Sequence, residues 1–307
     1  MNWDTRFAHR TQQMKRSTVR EILKLAVRPD VISFGGGLPA PELFPVERIE
    51  QAAETVLAER GREALQYSTT EGMPELREWV AARMSRGSFQ IDPRNILIVS
   101  GSQQGLDLVG RVLLDERDPV LVENPTYVGM LSAWKPYELD FHAVPTDDDG
   151  LIVDALEPML RQQAYKLMYS IPSFQNPQGT TLTAPRRRRL AELIVEHDLP
   201  FYEDDPYGEL VYDGEKMPTV LECEAAARGT TSIDDCNVIY AGSFSKIMTP
   251  GLRVGWIAAA FPVIDKLVQA KQASDMHAST LSQYIIYEVI RDAGFVEEHI
   301  AKLRQVY

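Results

Sequence analysis

Apolar and polar positions alternate between residues 95 and 260 in a way that predicts strands separated by helices. Short apolar runs between turn signals are typical of buried strands, and they occur at residues 95–99, 119–122, 139–144, 166–171, 199–202, 238–241 and 253–260. Longer amphipathic segments such as Ala184 to His197 lie between them. This order predicts an α/β fold with a mostly parallel, seven-stranded sheet and helices on both faces.

The remaining parts of the chain have mostly helical patterns. Ser17 to Leu23 forms a short amphipathic piece, and helical periodicity covers Val46 to Arg60. A further helix is expected to begin near Pro74, because proline is favoured in the first turn of a helix. Residues from Pro262 to about Ala293 also favour helix, with one interruption near His277.

Charge and composition narrow the classes of function. Acidic residues outnumber basic ones by 44 to 32, which gives a net charge of −12 and disfavours nucleic acid or an anionic membrane as a partner. The run Arg186 to Arg189 is therefore interpreted as surface or interface charge. Cys223 and Cys236 have no metal-ligand spacing and fit a reducing compartment. With no apolar stretch of membrane-spanning length and no signal-peptide core, we expect a soluble cytoplasmic protein without a metal site.

A candidate nucleophile follows the apolar run at Val238 to Ala241, where the sequence continues G-S-F-S-K. Lys246 stands just past the end of a buried strand, where desolvation should lower the pKa of its amine. A deprotonated amine attacks carbonyl groups, and nearby Ser243, Ser245 and Arg253 suit a phosphate. The pattern predicts a Schiff base between Lys246 and pyridoxal phosphate, and the alternative is an exposed loop lysine.

Two further predicted strands end in groups that the same cofactor could use. Ligands bind at the carboxyl ends of strands in such sheets. Ser102 and Gln103 open a helix after one strand and offer donors to a phosphate. Tyr127 follows the next strand and offers a flat ring that could stack on a heteroaromatic group.

Asn176, Asp204 and Tyr207 follow two more strand ends and suit the cofactor's ring. A carboxylate at the pyridine nitrogen stabilises its protonated form, which makes the ring an electron sink. Asn176 and Tyr207 could both reach the phenolate oxygen. Adjacent strand residues point to opposite faces, so only one of Asp204 and Asp205 can serve, and the D-x-x-Y spacing favours Asp204. The alternative for Asp204 is a turn or helix-cap acid.

Seven segments of the chain resemble the fold-type I, pyridoxal-phosphate-dependent aminotransferases of class I/II. The resemblance is strongest to the branch with 2-aminoadipate and kynurenine aminotransferases and the effector domains of MocR-type regulators. The segments lie between about residues 31 and 257 and read ISFGGGLPAPELFP, LQYSTTEGMPELRE, VSGSQQGLDLV, ENPTYVG, NPQGTTLT, YEDDPYGEL and SFSKIMTPGLRVGW.

The resemblance implies a role for each candidate residue. Lys246 would be the catalytic Schiff-base lysine, with Asp204 at the pyridine nitrogen and Tyr207 at the phenolate oxygen. Asn176 would share the phenolate oxygen and also meet the substrate. Tyr127 would stack on the ring, and the phosphate would be held by Ser102, Gln103, Ser243 and Arg253, with Ser245 beside them.

The resemblance also implies residues that contact the neighbouring subunit or the substrate. Tyr67 would reach the phosphate in the neighbouring subunit, which makes the active unit a homodimer. Gly37 would lie against the substrate. Arg20 resembles a position that meets an acidic substrate side chain, and the alternative is a solvated helix charge.

The same family implies a division of the chain into an N-terminal arm at 1–47, a large cofactor-binding domain at 48–262 and a helical segment at 263–307. That last segment would lead into a C-terminal small domain, which carries the arginine for the substrate α-carboxylate. Because the sequence ends at Tyr307, we expect this small domain to be largely missing. Either the sequence is a fragment or truncated product, or it is a remnant whose turnover is impaired.

The predicted function is transfer of an amino group between an L-amino acid and a 2-oxo acid. Candidate amino acids are 2-aminoadipate, glutamate, and aromatic or branched-chain amino acids. Two alternatives stay open: an amino-acid-sensing domain of a MocR-type regulator, and a pyridoxal-phosphate β-lyase or decarboxylase, because one fold supports several reactions.

Overall fold

A computed structural model describes residues 2–12, 31 and 37–307. The strands are β1 (Ile96–Val99), β2 (Pro119–Asn124), β3 (Asp140–Asp147), β4 (Gly150–Leu151), β5 (Leu167–Ser170), β6 (Phe201–Asp205), β7 (Val238–Ser243) and β8 (Gly255–Ala258). The helices are α1 (His9–Gln12), α2 (Val46–Ala64), α3 (Pro74–Met84), α4 (Ser102–Leu113), α5 (Val128–Trp134), α6 (Leu156–Gln162), α7 (Ala184–Glu196), α8 (Val220–Arg228), α9 (Phe261–Gln272), α10 (Thr280–Ile290) and α11 (Ala293–Val306).

The described strands form one sheet in the order β1-β8-β7-β6-β5-β2-β3-β4. Neighbours from β7 through β6, β5 and β2 to β3 are parallel. Strand β8 is antiparallel to both β7 and β1, so β1 runs in the same direction as β7. The carboxyl ends of β1, β2, β5, β6 and β7 therefore lie at the same edge of the sheet.

Side chains of each central strand alternate between two apolar layers, as the two-residue period of a strand requires. Leu97 and Val99 pack in the layer with helices α4, α5 and α9, which we name the α4 face. Ile96 and Ile98 pack in the opposite layer with α3, α7, α8 and α10, which we name the α8 face. Because both faces are covered, strands such as β1 are buried and apolar at every position.

The predicted α/β class, the mostly parallel sheet and the helices on both faces are confirmed, and each of the seven predicted strands is present. The predicted strand count was one short. The additional strand, Gly150–Leu151, has two residues and pairs antiparallel with β3. A strand of two residues is too short to show the two-residue period by which a strand is recognised in a sequence.

One interpretation of the arginine run was wrong. Arg187 is 1% exposed, and its guanidinium donates to the carbonyl oxygens of Leu182 and Pro172 at 2.8 Å each. It also donates to Ser173 Oγ at 2.9 Å. Helix periodicity turns this one member of the run inward, where hydrogen bonds to the loop after β5 satisfy a buried charge.

Two earlier expectations are not tested by these elements. The amphipathic piece at Ser17 to Leu23 lies outside the described residues, and the three-part division at residues 47 and 262 stays a prediction. In the part of the chain that is described, Ile286 of α10 and Ile300 of α11 belong to the same apolar layer as Ile98 of the sheet. No helix among these residues is both long enough and apolar enough to cross a membrane.

Candidate active site

Lys246 lies in the turn that directly follows β7, at the sheet edge that also holds the carboxyl ends of β1, β2, β5 and β6. Its side chain is half-buried, and burial, with a smaller effect of the Arg253 charge, lowers the pKa of the amine. The amine nitrogen is 3.5 Å from the carbonyl oxygen of Gly37 and 5.8 Å from the centre of the Tyr207 ring. The predicted desolvation is therefore present, and it favours a nucleophilic amine.

Asp204 lies at the end of β6 and is 2% exposed. Tyr169 donates its hydroxyl to Asp204 Oδ2 at 2.7 Å, whereas Oδ1 has no hydrogen-bond partner among the described residues. Burial raises the pKa of Asp204 to about 7, and the Tyr169 hydrogen bond opposes that rise. A buried carboxylate oxygen without a partner is costly, so this oxygen has the geometry of a ligand contact.

Asp205 points to the opposite face of the sheet, as the alternation of strand side chains predicted. Its carboxylate accepts the Tyr240 hydroxyl at 2.9 Å and the Gly208 amide at 2.8 Å. The two adjacent aspartates thus have separate surroundings. Of the two, Asp204 is the one with an oxygen that has no hydrogen-bond partner among the described residues.

Asn176 and Tyr207 are neighbours in space, although about 30 residues separate them in the sequence. Asn176 makes a side-chain hydrogen bond with the Tyr207 hydroxyl, and burial raises the pKa of that phenol. The negative charge of Asp204 raises it further. The structure therefore brings together three of the predicted residues, and Lys246 faces the same tyrosine ring.

A turn with the properties of an anion site joins β1 to helix α4. Gly101 precedes the helix with φ of +80°, and a Cβ at this position would collide with the Arg253 guanidinium. Glycine thus lets the arginine lie directly over the turn that leads into Ser102 and Gln103. Helix amino termini and guanidinium groups both attract anions, and Arg253 also lies 3.4 Å from the Ser100 carbonyl oxygen.

The remaining predicted contacts of the cofactor surround this turn. Gln103 donates its side-chain amide to the Gly129 carbonyl oxygen at 3.1 Å. The ring of Tyr127 lies so close to Gly129 that a Cβ there would overlap it. Ser243, at the end of β7, is buried and accepts the Ser245 amide at 3.0 Å.

The three remaining predicted residues are Tyr67, Gly37 and Arg20. Tyr67 is 76% exposed, and its ring meets His277 edge-on at 5.7 Å. Gly37 is exposed and contacts Lys246 through its carbonyl oxygen. Arg20 lies outside the described residues.

Sequence reasoning did not find Glu123, a buried acid that forms hydrogen bonds beside this site. Glu123 is 3% exposed. It accepts hydrogen bonds from Ser170 Oγ at the end of β5 (2.9 Å) and from the Ile171 amide (3.1 Å), where the loop that carries Asn176 begins. Burial raises the pKa of Glu123 to about 7. A glutamate within an otherwise apolar strand was the available signal, because buried acids need dedicated partners.

A second set of residues that sequence reasoning missed forms hydrogen bonds around the turn between β1 and α4. Gln104 Oε1 accepts the Ser100 amide at 2.8 Å and the fully buried Lys271 amine at 2.9 Å. Asp275 accepts from the same lysine at 2.6 Å. This polar network holds the turn from behind. No group of three histidine, cysteine or acidic side chains suited to a metal occurs among the residues described.

The model of the family described as aminotransferase class I and II matches residues 29–307. The chain therefore belongs to the class I and II aminotransferases, and its fold is that of the pyridoxal-phosphate enzymes of fold type I. A 2-aminoadipate transaminase of Thermus thermophilus is 43% identical over 309 residues, which cover 100% of this chain and 74% of that protein. Aromatic-amino-acid aminotransferase 1 of Thermococcus litoralis is 42% identical and covers 100% of this chain and 73% of its own length.

A solved structure and a regulator extend this comparison. The crystal structure of LysN from Thermus thermophilus, an α-aminoadipate aminotransferase complexed with N-(5'-phosphopyridoxyl)-L-leucine, has a TM-score of 0.91 at 41% identity. The match covers 100% of this chain and 74% of that one. The uncharacterised HTH-type transcriptional regulator YisV of Bacillus subtilis is 32% identical and covers 99% of this chain and 60% of its own length.

Proposed function

We propose that this aminotransferase uses pyridoxal 5'-phosphate to move an amino group between an L-amino acid and a 2-oxo acid, with Lys246 as the residue that binds the cofactor covalently. The observation that carries the proposal is the partnerless oxygen of buried Asp204, in the described part of the chain, at the same sheet edge as a half-buried lysine. Family membership supports the same reaction class.

The described residues fit this cofactor. Asp204 Oδ1 would accept a hydrogen bond from the pyridine nitrogen, which satisfies an oxygen that no described side chain reaches. The hydrogen-bonded pair of Asn176 and Tyr207 would hold the phenolate oxygen. Tyr127 would lie against the ring, and the phosphate would be held by the turn at Ser102 and Gln103 together with Ser243, Ser245 and Arg253.

When bound, pyridoxal phosphate supplies an aldehyde for the amino group and a ring that withdraws electrons from the substrate Cα. Lys246 would first bind through its amine and later, once released, take the proton from Cα. Burial lowers the pKa of this amine, which favours its neutral, proton-accepting form. Asp204 in its ionised form would hold the proton on the pyridine nitrogen.

The amino-acid substrates are proposed from the names of the relatives. The relatives act by name on 2-aminoadipate and aromatic amino acids, and one was solved with a leucine adduct, so we propose these amino acids and glutamate as candidates. Arg20 and Gly37 are the proposed substrate contacts, with Asn176.

We propose a cytoplasmic homodimer in which Tyr67 reaches the neighbouring site. The 76% exposure of Tyr67 supports this role, and sedimentation velocity would test the dimer.

The decisive test compares the wild type with Lys246→Ala and Lys266→Ala, incubated with pyridoxal phosphate and reduced with borohydride. Lys266 is a matched surface lysine on α9, whose amine contacts only Gln269 among the interactions described. We expect the reduced cofactor on the Lys246 peptide in the wild type and in Lys266→Ala, and none on Lys246→Ala. Equal labelling of Lys246→Ala would contradict the proposal.

The products distinguish the alternatives. Addition of an L-amino acid to the loaded protein should yield pyridoxamine phosphate and the 2-oxo acid if transamination occurs. Ammonia with pyruvate would indicate β-elimination, and carbon dioxide would indicate decarboxylation. Retention of the bound cofactor without any product would favour the sensing domain, for which the match to YisV is the supporting observation.

A further inference from the structure

We propose that Tyr169 is a positioning residue for Asp204: its hydroxyl occupies one carboxylate oxygen so that the other faces the pyridine nitrogen of the cofactor. The inference rests on the proposed function, because it assigns a role toward pyridoxal phosphate. Its basis is the asymmetry of the carboxylate, in which Oδ2 accepts Tyr169 Oη at 2.7 Å and Oδ1 has no partner in the described part of the chain.

The strand register explains why this tyrosine reaches Asp204. Tyr169 of β5 is the register partner of Tyr202 on β6, and Asp204 follows two residues further along the same face. A tyrosine is long enough to reach forward by that one step along the strand. Phenylalanine at position 169 would preserve the packing and leave Oδ2 without its donor.

The Tyr169 ring is fixed by its aromatic neighbours. It stacks on Tyr202 with ring centres 5.7 Å apart and an angle of 28°, and it meets Trp134 edge-on at 5.8 Å. Trp134 is anchored in turn, because its indole N–H donates to the Leu106 carbonyl oxygen at 2.8 Å. All three aromatic side chains are fully buried, so the hydroxyl cannot turn to solvent and the carboxylate is held in one orientation.

The hydrogen bond also bears on the charge of Asp204. Burial and the neighbouring charge of Asp205 both raise the pKa of Asp204, whereas the Tyr169 hydroxyl lowers it. Among the described residues, Tyr202 and Tyr207 are further titratable groups near Asp204, and the charge of Asp204 raises the pKa of each phenol. Tyr169 is thus the neighbour that favours the ionised carboxylate, which is the form able to hold a pyridinium proton.

The chain offers a matched control in Tyr202. This residue is also fully buried and belongs to the same stacked pair, but its hydroxyl has no hydrogen-bond partner among the described residues. Tyr202→Phe therefore removes the same atom from the same layer without touching a bond to Asp204. A general packing effect would appear in both phenylalanine variants, and a positioning effect would appear in Tyr169→Phe alone.

The experiment measures three quantities for the wild type, Tyr169→Phe and Tyr202→Phe. They are the titration of Asp204 in the cofactor-free protein by infrared difference spectroscopy, assigned with Asp204→Asn, the dissociation constant of pyridoxal phosphate, and the melting temperature. We expect Tyr169→Phe to raise the pKa of Asp204 and to weaken cofactor binding by about 10- to 100-fold, the size of a hydrogen bond to a charged group. Tyr202→Phe should match the wild type in both.

A double-mutant cycle guards against indirect effects. If the hydroxyl acts through Asp204, Tyr169→Phe should have no further effect on cofactor affinity in the Asp204→Asn background. An additive loss there, or an equal loss in Tyr202→Phe, would overturn the positioning role. So would a shifted Asp204 titration with unchanged cofactor affinity. Absence of cofactor binding in the wild type would overturn the proposed function itself, and the titration without cofactor would still decide whether Tyr169 controls Asp204.

Discussion

The two faces of strand β6 present neighbouring acids with contrasting surroundings. Glu203, Asp204 and Asp205 are consecutive, and burial is the main cause that raises the pKa of each. The value reaches about 8 for Glu203 and about 7 for Asp204. On the α8 face, Glu203 accepts the backbone amides of Val220 at 2.8 Å and Leu221 at 3.0 Å.

The difference lies in hydrogen bonding rather than in burial or pKa. Both carboxylates on the α8 face use both of their oxygens within the protein, Glu203 at the start of helix α8 and Asp205 with Tyr240 and Gly208. Asp204, on the α4 face, uses one oxygen. An unsatisfied buried oxygen therefore separates the candidate functional acid from the structural ones, and a raised pKa alone would have chosen Glu203.

The largest expected effect comes from Asp204→Asn. The amide cannot stabilise a protonated pyridine nitrogen, so we expect kcat/KM for transamination to fall by about 100-fold or more with little change in melting temperature. The matched control is Asp205→Asn, which changes the same group on the opposite face. Equal losses of activity in the two variants would break the distinction between the faces.

Glu203→Gln should act mainly on stability. One of the two backbone donors of α8 would then face an amide N–H₂ group instead of an oxygen, at a cost of about 1–3 kcal/mol in the free energy of unfolding. Chemical denaturation measures this cost. We expect bound cofactor and turnover per folded molecule to remain at the wild-type level, and a loss of turnover without loss of stability would contradict this assignment.

The pH dependence of stability, compared between the wild type and Glu203→Gln, gives a further test. Burial raises the Glu203 pKa from 4.5 to about 8, so the folded protein keeps a proton that the unfolded chain releases. The stability from this group is complete below pH 4.5 and is lost as the pH rises through about 8. The free energy of unfolding of the wild type should therefore fall relative to that of Glu203→Gln over that window, by at most about 1.4 kcal/mol per pH unit. A relative rise with pH would contradict a raised pKa of Glu203.

The smallest effect is expected from Tyr240→Phe. Its hydroxyl donates to Asp205 on the α8 face, as that of Tyr169 does to Asp204 on the α4 face. Removing it should cost about 1–2 kcal/mol of stability and leave cofactor affinity unchanged. A weakened affinity comparable with that of Tyr169→Phe would show that the two faces are not independent.

Much of the candidate site followed from local sequence patterns. Lys246 and Asp204 were predicted from their places at or just past the end of an apolar strand, and the D-x-x-Y spacing favoured Asp204 over Asp205; their roles stay predictions. Tyr169 was not found, because a tyrosine inside an apolar strand is indistinguishable from a core residue until the register with β6 is known. Arg187 was misread for a related reason, since a run of four arginines does not reveal which one turns inward.

The sequence by itself determined the order of strands and helices, the polar residues at the strand ends and membership of the aminotransferase family. Only the tertiary structure decided which strands are neighbours, with β8 between β1 and β7, and which oxygen of each buried acid has a partner. The physical reason is range: periodicity and turn chemistry act over a few residues, whereas hydrogen bonds such as that of Tyr169 to Asp204 join residues 35 apart.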